Sequence, residues 1–441
     1  IDWGHHQEVF AADLDGDGDI DILTVSVYDD FIVWYENDGG YNPIFTEGLV
    51  ANIEEGARGI YAADMDGDGD MDILSASQTN DEIAWYENDG ASNPSWTAHV
   101  IATDADQAQM VYAADMDGDG DMDIVSSSRI DKTIAWYKND GAADPSFTGI
   151  DIYTNADGAY DIIPADIDAD GDLDIVSTSV NDNRVIWYEN DGASNPSWTA
   201  SDISTTAIHP FSVVASDMDG DGDLDIISCS TTDDRITFYE NTMNSDGNGV
   251  IMTIGGGDTD EDGICNDDEI VGCQDDTACN YNEDATDADD CTYIDGVCEK
   301  CSGSDVYFRA EDISNSSDGP HDVFSADIDA DGDLDFVAAS KQNDKISWYE
   351  NDGSSDPSFT EIIITTSEDG PYAVFVIDVD NDGDLDIINS SNYENALSWY
   401  ESDGASNPSF TRNEIPTNID WGHHQEVFAA DLDGDGDIDI V

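Results

Sequence analysis

The chain has 441 residues and carries 103 Asp and Glu against 11 Lys and Arg, a formal charge of −92. That length leaves room for two or three ordinary domains or one large repeat architecture. The charge excludes DNA, RNA and anionic lipid as partners, because binding to them runs through Lys and Arg that neutralise phosphates. With 39% hydrophobic residues and 10 Trp, 18 Tyr and 13 Phe at regular positions, it also excludes an acidic disordered tail.

In chain order, the first unit reads as an apolar strand at residues 9–12, an acidic loop at 13–21, an alternating strand at 20–27 and a polar turn. An aromatic strand at 32–35, a Gly/Pro-rich turn and a short strand around Phe45 complete it. The loop string D-x-D-x-D-G-D-x-D recurs with its first Asp at Asp13, Asp64, Asp115, Asp166, Asp217, Asp327, Asp378 and Asp431. The intervals are 51 residues four times, then 110, 51 and 53. A fixed period of this size marks a propeller, solenoid or array, and four strands per unit without helical periodicity predict an all-β propeller. The aromatic strand occurs at Trp34, Trp85, Trp136, Trp187, Phe238, Trp348 and Trp399, which predicts seven four-stranded blades with this column packed between them.

The 110-residue interval contains an excess of 59 residues, expected between the third and fourth strands of blade five. It holds Cys265, Cys273, Cys279, Cys291, Cys298 and Cys301, so a small disulfide-rich insert and an oxidising, extracellular setting are expected. The pairing is open, zinc at Cys298 and Cys301 is the competing reading, and Cys229 reads as a buried thiol. The expected organisation is 1–241 for blades one to five (first part), 242–305 for the insert, and 306–417 for the end of blade five with blades six and seven. Residues 418–441 are a truncated eighth repeat or closing strands, since 419–440 repeat 1–22 without a difference. A five-bladed unit followed by a truncated one is the architectural alternative. Starting at Ile1 without Met and stopping inside a repeat, the chain reads as a fragment.

Each acidic loop places five carboxylates in nine residues, and at contact distance each like-charge pair costs on the order of 1 kcal/mol even in wet surroundings. A bound cation relieves this. All-oxygen ligands in a flexible arrangement suit Ca2+, with positions one, three and five turned inward, a Gly at six for the bend, a backbone carbonyl from seven and a closing carboxylate at nine. The candidate ligands are Asp13, Asp15, Asp17, Asp19 and Asp21; Asp64, Asp66, Asp68, Asp70 and Asp72; and Asp115, Asp117, Asp119, Asp121 and Asp123. They continue with Asp166, Asp168, Asp170, Asp172 and Asp174; Asp217, Asp219, Asp221, Asp223 and Asp225; and Asp327, Asp329, Asp331, Asp333 and Asp335. The last two loops add Asp378, Asp380, Asp382, Asp384 and Asp386, then Asp431, Asp433, Asp435, Asp437 and Asp439. In the insert, Asp258, Asp260, Asp262 and Glu269 fit a twelve-residue calcium-loop pattern.

On these loops and aromatic strands the chain resembles the FG-GAP or VCBS repeat family, related to the integrin alpha-subunit propeller. The resemblance implies calcium sites in the hairpins between first and second strands on the lower face, and ligands on the upper face. One departure is that every blade here keeps all four ligating Asp side chains. The insert loop resembles a thrombospondin type 3 or dockerin-like calcium loop. The stretch from Cys273 to Cys291 resembles a module common in secreted proteins of marine bacteria.

Six residues before each first Asp stand Gln7, Arg58, Gln109, Tyr160, Phe211, His321 and Tyr372, expected around the mouth of the central channel on the upper face. Such a ring is a candidate surface for a sugar or a peptide side chain. No nucleophile motif accompanies the 7 His, so no catalytic activity is expected. Glu36 and its counterparts follow the aromatic pair in most blades, but Lys138 replaces one of them, which argues against a shared metal role. No apolar run approaches the ~20 residues that cross a bilayer, so no direct membrane insertion is expected. The expected function is a calcium-binding extracellular module for adhesion to a protein or glycan partner. A passive spacer and a non-catalytic propeller of a carbohydrate-active enzyme are the alternatives.

Overall fold

A computed structural model of the chain describes residues 6–18, 20–26, 31–37, 46–52, 56–242, 308–315, 317–379, 382–391, 396–415, 429–430 and 439–440. It contains seven four-stranded antiparallel sheets, each with its strands in sequence order from first to fourth. The first blade comprises His6–Ala12, Asp21–Ser26, Phe31–Glu36 and Thr46–Asn52. First strands of consecutive blades pack side by side through all seven, and the chain is a seven-bladed β-propeller. Among the described residues, no helix is long and apolar enough to cross a membrane.

Blade five bridges the insert. Its third strand, Arg235–Asn241, pairs with Phe308–Ser314, and its first strand, Pro210–Ser216, packs against Pro320–Ala326 of blade six. The blades on both sides of the insert therefore belong to one stack. Among the described residues, Ala429–Ala430 pairs with Asp439–Ile440 in a separate two-stranded ladder, and no ladder joins that segment to blade one. Residues 243–307 lie outside the described residues, and with them the insert's six Cys, its twelve-residue loop and the disulfide and zinc expectations.

In blades one to six the second strand packs against the first strand of the next blade, and in blades two to seven it is buried along its whole length. That is why these strands run apolar with small Ser and Thr rather than alternating strictly. The aromatic of the third strand sits in one fixed register opposite Leu23, Leu74, Val125, Val176, Ile227, Val337 or Ile388. From there it meets the next blade edge-on. Trp34 lies 6.4 Å from Trp96, Trp85 5.9 Å from Phe147, Trp136 6.3 Å from Trp198, Phe238 5.4 Å from Phe359 and Trp348 6.3 Å from Phe410. The column thus packs blade on blade, as large apolar rings in such positions do. Cys229 is buried in the second strand of blade five, and burial pushes its thiol far above its ordinary range.

Candidate metal centre

In each of the seven blades the acidic loop joins the first strand to the second, and its own side chains hold its backbone. The carboxylate at position one accepts the N–H of the Gly at position six, at 2.9 to 3.2 Å in all seven blades. That Gly adopts φ between 96° and 104°, a region closed to side-chain-bearing residues. Position three accepts the N–H of position five, as in Asp66 with Asp68 at 3.1 Å, and position five accepts that of position seven, as in Asp119 with Asp121 at 3.1 Å. Position four is left-handed but milder, and Ala169 and Ala330 occupy it at φ 53° and 57°. The result is a tight coil with carboxylates on its inner side.

Position nine behaves differently. Asp21, Asp72, Asp123, Asp174, Asp225, Asp335 and Asp386 are all buried to 1% exposure or less. One oxygen accepts the N–H of position two at 2.9 to 3.2 Å. The other accepts the N–H at the end of the third strand, at 2.7 to 2.9 Å. Position nine therefore fastens the hairpin to its own sheet. Burial pushes Asp21, Asp72, Asp174 and Asp335 up to about 7 and Asp225 to about 8, although the backbone donors pull the other way.

The residue donating that second N–H is an Asn in the first six blades, and sequence reasoning passed over its side chain. In blades two to six, Asn88, Asn139, Asn190, Asn241 and Asn351 each donate Nδ2 to the position-two carbonyl of the preceding blade's loop. The acceptors are Leu14, Met65, Met116, Ile167 and Met218, at 2.6 to 2.8 Å. The same Nδ2 bonds a carbonyl of its own loop, as Asn139 does with Met122 at 3.0 Å. Neighbouring loops are thereby tied together. Blade seven has Ser402 at this place, with no amide to reach across. The signal in the sequence is the Asn recurring three residues after six of the seven aromatics.

The donor set fits a hard divalent cation, being oxygen only. In blades two, three and five, carboxylate oxygens of positions one, three and nine lie within 4.8 Å of one another, and in blades one and four those of positions one, three and five. Asp13 Oδ1, Asp327 Oδ1 and both oxygens of Asp223 are buried without a hydrogen-bond donor. Unpaired buried carboxylate oxygens are costly, and a bound cation would supply the partner they lack. Asp223 is the extreme case. At position seven of blade five it turns inward to 1% exposure, and burial followed by repulsion from Asp221 pushes it up to about 9. Among the expected ligands, Asp19, Asp380, Asp431, Asp433, Asp435 and Asp437 lie outside the described residues, as do Asp258, Asp260, Asp262 and Glu269. The side chain of Asp439 does too.

At the opposite end of the first strands, four of the candidate ligand-face residues stack in a row. Ring centroids are 4.2 Å apart for Tyr160 and Phe211, 4.1 Å for Phe211 and His321, and 3.8 Å for His321 and Tyr372. A cation closes each end: Arg58 sits 4.7 Å over Tyr160 and bonds its hydroxyl, and Lys341 sits 4.6 Å over Tyr372. Enclosure, together with the Lys341 and Arg58 charges, pushes His321 down to about 3, so its imidazole is neutral at pH 7. Gln109 does not join them, being buried with its amide on the carbonyls of Gln107 and Ala108. The side chain of Gln7 lies outside the described residues.

Comparison with known proteins agrees with this geometry. A family model described as FG-GAP-like repeat matches residues 13–75, 64–126, 167–228, 327–389 and 378–441, well over half of the chain. A solved lectin from Agrocybe aegerita, which recognises non-reducing terminal N-acetylglucosamine, aligns at 15% identity and TM-score 0.50, covering 92% of this chain and 93% of its own. The V. cholerae biofilm matrix protein Bap1 aligns at 13% identity and TM-score 0.49, covering 99% of this chain and 84% of its own. The likeness to the lectin shows a shared propeller fold. No curated protein matches the chain.

Proposed function

The chain belongs to the FG-GAP-like repeat family, and we propose that it is a calcium-stabilised extracellular propeller that binds a protein or glycan partner rather than catalysing a reaction. The observation that carries the reading is the repeated acidic loop, with carboxylate oxygens gathered within 4.8 Å and several of them buried without donors. Ca2+ in these loops would be structural, neutralising like charges that otherwise oppose the coil. The six clustered Cys of the insert support an oxidising compartment.

The partner would dock at the channel mouth, on the row of Tyr160, Phe211, His321 and Tyr372 between Arg58 and Lys341. Aromatic faces beside fixed cations suit the apolar face of a sugar ring or an acidic side chain. In the Agrocybe aegerita lectin the same fold serves sugar recognition. One observation favours a second reading, a rigid spacer: the rings already cover one another at 3.8 to 4.2 Å. A glycan and matrix-protein array run with calcium and with chelator decides between them. Calcium-dependent binding abolished by Tyr160→Ala and Phe211→Ala supports the binding module, and arrays blank under both conditions support the spacer.

A further inference from the structure

The loop of blade three differs from its neighbours in one residue that enters it from outside. Two positions after the third-strand aromatic, six blades carry Glu36, Glu87, Glu189, Glu240, Glu350 and Glu401, and blade three carries Lys138. The strand register places this residue beside the acidic loop: Glu36, Glu189, Glu240 and Glu350 each act on the position-three carboxylate of their own blade. In blade three the same placement delivers an ammonium group. Lys138 Nζ contacts the Asp117 carboxylate at position three and lies 3.2 Å from Asp119 Oδ2 at position five. The Asp117 side chain is fully buried while that of Lys138 is 28% exposed, so this is not a solvated surface pair. The long apolar stem of Lys138 passes Trp136, whose ring centroid is 6.0 Å from Nζ.

We propose that the Lys138 ammonium is the resident cation of the blade-three loop, which therefore folds without Ca2+ while the loops of the other blades require it. The inference rests on the calcium reading of those other loops. The ammonium sits on the position-three carboxylate, which with those of positions one and nine would ligate a divalent ion, and its positive charge opposes the ion's approach. The Lys138 ammonium donates to Asp119 Oδ2 at 3.2 Å and pairs by charge with Asp117, a role that a protein-supplied cation can fill without any change in the coil. The loop backbone is the same as elsewhere: Gly120 donates to Asp115 at 2.9 Å and Met116 to Asp123 at 3.2 Å.

The test is anomalous diffraction from crystals of the full chain soaked in terbium. The wild-type protein is expected to show peaks in the loops of blades two and four and none in that of blade three, and Lys138→Glu is expected to add the missing peak. Should that variant fail to fold, Glu189→Lys supplies the mirror experiment, in which the blade-four peak disappears. A wild-type peak in blade three equal to those of blades two and four overturns the proposal. Peaks in no loop at all overturn the calcium reading and this inference with it. Hydrogen exchange in chelator gives an independent readout, with the amides of residues 115–123 expected to stay protected while those of 166–174 exchange. Equal exchange of both segments counts against the resident ammonium.

Discussion

An Asn that precedes Asp-Gly in a turn ordinarily needs no more explanation than its tolerance of turn geometry. Here that residue does more. Asn190 donates its backbone N–H to Asp174 at 2.8 Å and its amide to Met116 of the preceding blade's loop at 2.8 Å and to Leu173 at 3.0 Å. Removing the amide leaves two carbonyls without a donor, and an orphaned buried acceptor costs about 1–3 kcal/mol. Asn190→Ala is therefore expected to lower the urea midpoint by a corresponding amount, and an unchanged midpoint would show that the link between loops carries no free energy. The recurrence of this Asn was legible in the sequence, but its acceptor was not, because Met116 lies 74 residues earlier in another blade. Lys138 raises the same difficulty in reverse. As a lone departure from a Glu column it argued against a metal role, and only the fold shows that it points into the loop it belongs to.

Within each blade the strands divide the labour, and the division accounts for what the residue pattern conveyed. Period-two runs and turn residues located four strands per unit, and the third-strand aromatic marked the surface on which the next blade rests. The fourth strand was placed least well, around Phe45, whereas it runs Thr46–Asn52. Its counterparts are the outermost and most exposed, as at Trp96–Ala102, so little burial marks their ends. Trp136, at 0% exposure against Trp198, is a severe test of blade-on-blade packing. Trp136→Ala is expected to cost about 3–5 kcal/mol, the range for emptying a large aromatic site in a core. A chemical-denaturation curve with a loss below about 1 kcal/mol would mean that the site collapses without penalty. Trp399 is only partly buried, so the same change there is expected to cost less.

For the molecule as a whole, the same carboxylates that fasten the hairpins set how stability depends on pH. The seven-fold alignment of the first strands predicted a ring of residues at the channel mouth, but not that four of them would stack upon one another, because that depends on channel radius and side-chain direction. The acidic loops were more completely legible, and their burial now gives a sign. Asp21, Asp72, Asp174 and Asp335 titrate at about 7 in the folded chain, against an ordinary 3.8, because burial penalises their charged forms. Between those values the folded state holds more protons than the unfolded one, so without a cation stability falls as pH rises through that window. Calcium bound by the proposed loops would reverse the balance, since a metal ion takes carboxylates in their deprotonated form and its binding would release their protons. In chelator the melting temperature is therefore expected to drop from pH 5 to pH 8, while in saturating calcium it holds or rises. The stabilisation by calcium should accordingly widen with pH. Melting curves that run parallel with and without calcium across this range would mean that these carboxylates and the ion do not share a site.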